Sequence, residues 1–142
     1  MPGASAAERL AAAARELGLT DELHIATARG YLIQDDGVDD SAIQRLATEL
    51  LVDEVIERAV IGRVGEPHLN DCPARISHRN SLDATTRMPP QNSKSTPQCV
   101  TVLFKPGVMD PVANSALMAA ADLGIRPQAV ATLRKYWIHG LN

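Results

Sequence analysis

The chain has 142 residues, 45% apolar and 22% charged, which is the composition of a globular protein of one ordinary domain or two very small ones. Only 3% of it is aromatic, so Ala, Leu, Val and Ile must build the core, and a net charge of −3 argues against nucleic acid as the main partner. No apolar run approaches the roughly 20 residues that span a bilayer, and two cysteines without a secretory signal point to a reducing compartment. The expectation is a cytoplasmic protein with neither nucleic acid nor membrane as partner.

Met1-Pro2-Gly3 is turn chemistry, with Gly3 or Ser5 able to cap the first helix. That helix is predicted over about Ser5–Leu17, with Leu10, Ala13, Ala14 and Leu17 on one stripe and Gly18 as its stop. Glu22–Gln34 alternates Ile25, Thr27, Arg29, Tyr31 and Ile33 against smaller neighbours, a strand pattern. Asp35-Asp36-Gly37 is a turn. A second helix is expected at about Asp40–Leu51, carrying Ile43, Leu46, Ala47, Leu50 and Leu51 on one face. Ser41 with Gln44 resembles a capping box there, and Asp39 or Asp40 is the alternative cap. Val55–Arg63 reads as a short strand.

Val64–Pro97 changes character. It holds five prolines, many Asn, Ser and Arg, and no period of 2 or 3.6, and it reads as a flexible linker that adds little to the core. Cys99–Phe104 is then a β-branched, apolar strand, broken by Lys105-Pro106-Gly107. Asp110-Pro111 opens a helix: the carboxylate accepts orphan N–H groups, and Pro gives up an N–H that has no partner. The helix should run to Leu123 and stop at Gly124, and Val130–His139 should resume as a strand.

The two ends of the chain repeat one another. Pro2-Gly3 matches Pro106-Gly107, Ala13–Leu19 matches Ala119–Ile125, and Thr27–Ile33 matches Thr132–Ile138, in the same order and nearly the same spacing. The expected organisation is residues 1–63 as a first unit lacking its first strand, 64–97 as linker, and 98–142 as a second unit lacking its second half. The fold class is α+β, with small antiparallel sheets and helices on one sheet face. A unit without its first strand exposes a sheet edge. Cys99–Phe104 should therefore pair beside Ile25–Ile33, or pair within its own copy and leave the first copy's edge open or dimerised.

The run VTVLFKPGVMDPVANSALMAAADLGI, followed by VATLRKYWI, resembles the PurS-type small subunit of phosphoribosylformylglycinamidine synthase and the PurS-like N-terminal region of its single-chain forms. Lys105, Pro106, Gly107, Val108, Asp110 and Pro111 match the family's K-P-G-V-x-D-P turn as they stand. In the first copy Ala28–Ile33 fits, and Leu50–Glu57 is similar to the family's closing helix-to-strand segment; the copy departs at Ala4-Ser5-Ala6, which replaces V-x-D. On this resemblance the fold is a tandem PurS-like repeat with both copies incomplete, and the tandem favours the N-terminal part of a larger synthase.

The resemblance implies a function in purine biosynthesis. The parent ligase uses ATP and glutamine-derived ammonia. Its PurS part is non-catalytic, holds the synthetase and glutaminase parts together for ammonia transfer, and associates with itself. It implies no cofactor in this chain, ATP and Mg falling to the synthetase partner.

The residues agree in offering little chemistry. There is no phosphate-binding G-x-x-x-x-G-K-[ST] or G-x-G-x-x-G loop, and neither Cys72 nor Cys99 sits in a Gly-flanked elbow. His68, Cys72, His78 and Cys99 match no standard zinc spacing, so no metal site is expected, and Cys99 reads as a small core residue. Arg29, Tyr31, Lys105, Arg134 and Tyr136 are the candidate partner-interface residues, Arg and Tyr being common on such faces. Ordinary alternation on a half-exposed sheet is the plain alternative for the four strand residues, and a solvated strand end for Lys105. Trp137 reads as a core anchor on the other side of its strand. A small-molecule-binding regulatory α+β domain is the alternative function.

Overall fold

The computed structural model describes residues 5–19, 23–72 and 96–140, and shows a small α+β protein with three α-helices and a three-stranded antiparallel sheet among them. Met1–Gly3, Glu22, His78 and the prolines at 73, 89 and 90 lie outside the described residues. No described helix is long and apolar enough to cross a membrane.

Helix α1 (Ala6–Glu16) starts at a reciprocal capping box. The Ser5 hydroxyl accepts the Glu8 N–H at 3.2 Å, while the Ser5 N–H donates to Glu8 Oε2 at 2.7 Å. The expected apolar stripe is rotated: Ala11 is the buried residue, and Leu10 and Leu17 are exposed. Strand β1 (His24–Gln34) follows. Helix α2 (Asp40–Leu46) is capped by Asp39, whose carboxylate accepts the Ala42 N–H at 2.7 Å and the Ser41 hydroxyl at 2.8 Å, and it continues into a π-helical turn, Ala47–Leu51.

Val55–Arg63 is not a strand: residues 54–56 turn, and the rest has no ladder. Its β-branched residues favour an extended backbone, but a strand exists only beside another. The start of the expected linker is also structured. Pro67–Asn70 forms a 3₁₀ turn, and Cys72 is buried.

Strand β2 (Gln98–Leu103) leads through the Lys105–Gly107 turn to helix α3 (Pro111–Asp122) and strand β3 (Ala129–His139). The sheet order is β1-β3-β2, so β2 pairs within its own helix–strand set, and one side of β1 carries no strand among the described residues. Both α1 and α3 end in Leu-Gly with the glycine in the left-handed region, φ 78° at Gly18 and 77° at Gly124.

Contacts group the described parts of the chain into two compact units: Met1–Ala28, Asn70–Thr101 and Arg134–Asn142 in one, Arg29–Leu69 and Val102–Leu133 in the other. The first buries Ala11, Leu23, Cys72 and Trp137. In the second, Leu46, Ala120 and Ile125 form a cluster that Ile33, Val38, Leu50, Leu51 and Leu123 surround.

Candidate functional site

The strand-to-helix turn that carries the K-P-G-V-M-D-P run is built around Asp110. One carboxylate oxygen accepts the Ala113 N–H at 2.9 Å and so caps α3. The other accepts the Thr132 N–H at 2.8 Å and the Thr132 hydroxyl at 2.7 Å, which ties the helix start to β3. Burial pushes the Asp110 carboxyl up, but hydrogen bonds from Ala113 and Thr132 outweigh it and hold the group below the usual carboxylate range. With both oxygens committed, Asp110 is a structural acceptor rather than an acid or base. Gly107 takes φ 83°, which lets the backbone reverse between Lys105 and Val108, and the Val108 N–H closes the turn on the Lys105 carbonyl at 3.1 Å.

Around this turn lies a half-open cavity of about 360 Å³, lined by Leu103–Asp110, Asn114 and Val130–Thr132. Its lining carries one cation, Lys105, whose side chain is exposed. Phe104, Val108, Met109 and Val112, on or beside the turn, also stand in solvent. The lining mixes apolar side chains with the polar groups of Lys105, Asp110, Asn114 and Thr132.

The five candidate interface residues fall into two sets. Arg29, Tyr31 and Lys105 belong to one compact unit, Arg134 and Tyr136 to the other, and among the described residues no hydrogen bond or ion pair joins any two of them. Arg29 is engaged within the chain: its guanidinium meets Glu57 Oε2 at 2.7 Å and the Leu51 carbonyl at 3.3 Å. The Asp53 N–H and Arg29 together hold the Glu57 carboxyl below its ordinary value. Tyr31 and Tyr136 are half-buried, and Arg134 and Lys105 are exposed.

The unit holding Trp137 contains a polar cluster that the sequence spacing hides. The Trp137 indole N–H donates to the Asn70 carbonyl at 2.7 Å, and the Asn70 side-chain oxygen accepts Lys135 Nζ at 2.9 Å. Cys99 Sγ approaches the same oxygen at 3.9 Å, and Cys72 Sγ lies 3.8 Å from His139 Nε2. The Cys72 thiol is buried, so the pair reads as packing with a weak hydrogen bond rather than as an exposed nucleophile. Sixty-seven residues separate Asn70 from Trp137 and Cys72 from His139. Glu8 was the one overlooked residue with a local signal, since Ser5-x-x-Glu8 is a capping-box pattern. Among the described residues, no group of three or more His, Cys, Asp or Glu is placed to hold a metal ion.

Comparison with family models, with curated proteins and with solved structures found no match.

Proposed function

We propose that this chain is a non-catalytic assembly module of phosphoribosylformylglycinamidine synthase, holding the synthetase and glutaminase parts of that enzyme together for ammonia transfer in purine biosynthesis. The observation that carries the reading is the Lys105–Pro111 run. It resembles the family's turn residue for residue, its one carboxylate is consumed in holding α3 to β3, and its surroundings are exposed apolar side chains. A scaffold needs such a surface, and an enzyme needs polar groups with free valences.

In this reading the two helix–strand pairs are copies of one PurS-like unit, both incomplete. Their matched form supports it: helices of 11 and 12 residues, Leu-Gly stops at φ 78° and 77°, and strands of 11 residues each. The partners are the synthetase and glutaminase parts, and ATP and Mg bind to the synthetase rather than here. Lys105, Tyr31, Arg134 and Tyr136 are the residues offered to them. Arg29 has a second role, holding the segment after α2 through Glu57.

The test is reconstitution. The chain is mixed with synthetase and glutaminase proteins of the pathway, and association is followed by sedimentation together with glutamine-dependent ligase turnover. Expected is a complex that raises glutamine-dependent but not ammonia-dependent turnover; failure to associate with either protein overturns the reading. The cavity beside Lys105 supports a second reading, a regulatory domain that binds a small anionic effector, since 360 Å³ is within the size of ligand pockets. A thermal-shift screen against nucleotides and amino acids tests it, and a flat response counts against it.

A further inference from the structure

The cavity at the Lys105–Asp110 turn lies within one compact unit, since its whole lining falls between Leu103 and Thr132. Its polar groups divide by what they already hold. Asp110 accepts the Ala113 N–H together with the N–H and the hydroxyl of Thr132, and the Thr132 hydroxyl proton is spent in that contact. Lys105 and Asn114 differ: neither side chain makes a hydrogen bond or ion pair among the described residues. The cavity therefore offers an ammonium with three donors and a carboxamide with two donors and an acceptor.

The rest of the lining defines the body of a ligand. Phe104, Val108 and Met109 are 55%, 53% and 76% exposed, so apolar area remains there for a ligand to cover. Phe104 can also meet an aromatic ring at its edge or face. A volume of about 360 Å³ is at the small end of ligand sites, which favours a compact molecule.

Charge defines the head group. Lys105 is the one cation of the lining, and it answers one negative charge. A second negative charge on the ligand would share the cavity with the Asp110 carboxylate and find no cation left in the lining. A phosphate monoester or a nucleotide is thereby disfavoured, and a single carboxylate fits.

We propose that this cavity binds a small monocarboxylate with an apolar body, its carboxylate accepting from Lys105 and Asn114 and its body laid on Phe104, Val108 and Met109. The inference rests on the reading of the cavity as an effector site and narrows that effector to one chemical class. It needs no part of the purine-pathway reading.

The probe is phenylacetate, titrated into the full chain and followed by the amide chemical shifts in two-dimensional NMR spectra. Expected are saturable shifts of the Lys105, Gly107, Val108 and Thr132 amides, with a dissociation constant of about 1 mM or below. Phenylacetamide keeps the body and lacks the charge, and it should bind roughly threefold or more weakly. Lys105→Gln should weaken phenylacetate by about the same factor and leave phenylacetamide unchanged. Lys105 and Asn114 are both exposed, so Lys105→Gln and Asn114→Ala leave the fold intact, and Asn114→Ala should weaken phenylacetate as well. Phenyl phosphate, a dianion at about pH 8, should bind more weakly than phenylacetate. Tighter binding of phenyl phosphate or ATP at the same amides overturns the monocarboxylate and leaves the effector reading standing. Equal weakening of phenylacetate and phenylacetamide in Lys105→Gln overturns the assignment of the head group. If none of the three anions shifts these amides at about 10 mM, the proposal and the effector reading fall together.

Discussion

Leu46→Ala is the sharpest probe of the core. Leu46 is 2% exposed and is the only side chain of its size so fully enclosed among the described residues. Truncation removes three carbons, about 2.4 kcal/mol of transfer free energy at roughly 0.8 kcal/mol for each. It also leaves a cavity, at about 24 cal/mol per Å³ that the surroundings fail to fill. Two of the neighbours, Ala120 and the buried Ile125, have little freedom to move in. Leu50, Leu51 and Leu123 are only partly buried and can relax toward the space. The expected loss is therefore about 3–4 kcal/mol, near the middle of the range for buried Leu→Ala changes. It should be read from urea denaturation followed by far-ultraviolet circular dichroism, as a lower midpoint with an unchanged slope. Leu10→Ala is the matched control, because Leu10 is 41% exposed, and it should cost less than about 1 kcal/mol. A loss below about 1 kcal/mol for Leu46→Ala, or one equal to that of the control, refutes the assignment of Leu46 to the centre of the cluster.

Trp137→Phe removes the donor to the Asn70 carbonyl and should cost about 1 kcal/mol in the same assay; an unchanged midpoint would show that this bond is not formed in solution. Gly18→Ala and Gly124→Ala should each cost about 1–2 kcal/mol, and by nearly equal amounts, because both glycines have φ near 78° and an added Cβ at either meets nothing within 4 Å. Unequal losses would mean that one of the two turns is not left-handed. Asp39, Glu57 and Asp110 are all held below their ordinary values in the folded chain. The stability they supply is therefore complete above the unfolded carboxylate values of about 4 and is lost as pH falls through the lower folded values. The melting temperature should hold between pH 7 and 5 and fall below about pH 4, less steeply in Asp110→Asn. A melting temperature that rises on acidification would contradict the sign.

Most elements were legible because their signals are local. Asp110-Pro111 marks a helix start, Leu-Gly marks two helix ends, and the alternation of Ile25, Thr27, Arg29, Tyr31 and Ile33 marks a strand, each within a few residues. Two pairings were open for β2, beside Ile25–Ile33 or within its own copy, and the structure has the second, beside β3. The misreadings are non-local. Val55–Arg63 has the composition of a strand, but pairing depends on what lies beside it, and that is not written in the segment. On α1 the expected stripe of Leu10, Ala13, Ala14 and Leu17 is not the buried one: Ala11 is buried, and Leu10 and Leu17 are exposed. The grip of Asn70 on Trp137 and Lys135 spans more than 60 residues and crosses a stretch whose composition reads as linker. At the candidate site, the turn itself was visible in Lys105–Pro111, whereas the engagement of Arg29 by Glu57 needed the folded chain.

Trp137 is the only tryptophan in the protein, and its ring nitrogen is bonded to the Asn70 carbonyl in a setting that leaves the residue 3% exposed. The molecule thus carries one built-in optical reporter for one contact. Its emission should be blue-shifted and poorly quenched by iodide while Asn70 is seated, and should move to the red when the 3₁₀ turn Pro67–Asn70 lifts away. A titration with any binding protein or ligand can then be read without a label, and the colour of the emission tells whether that short turn has let go of the strand.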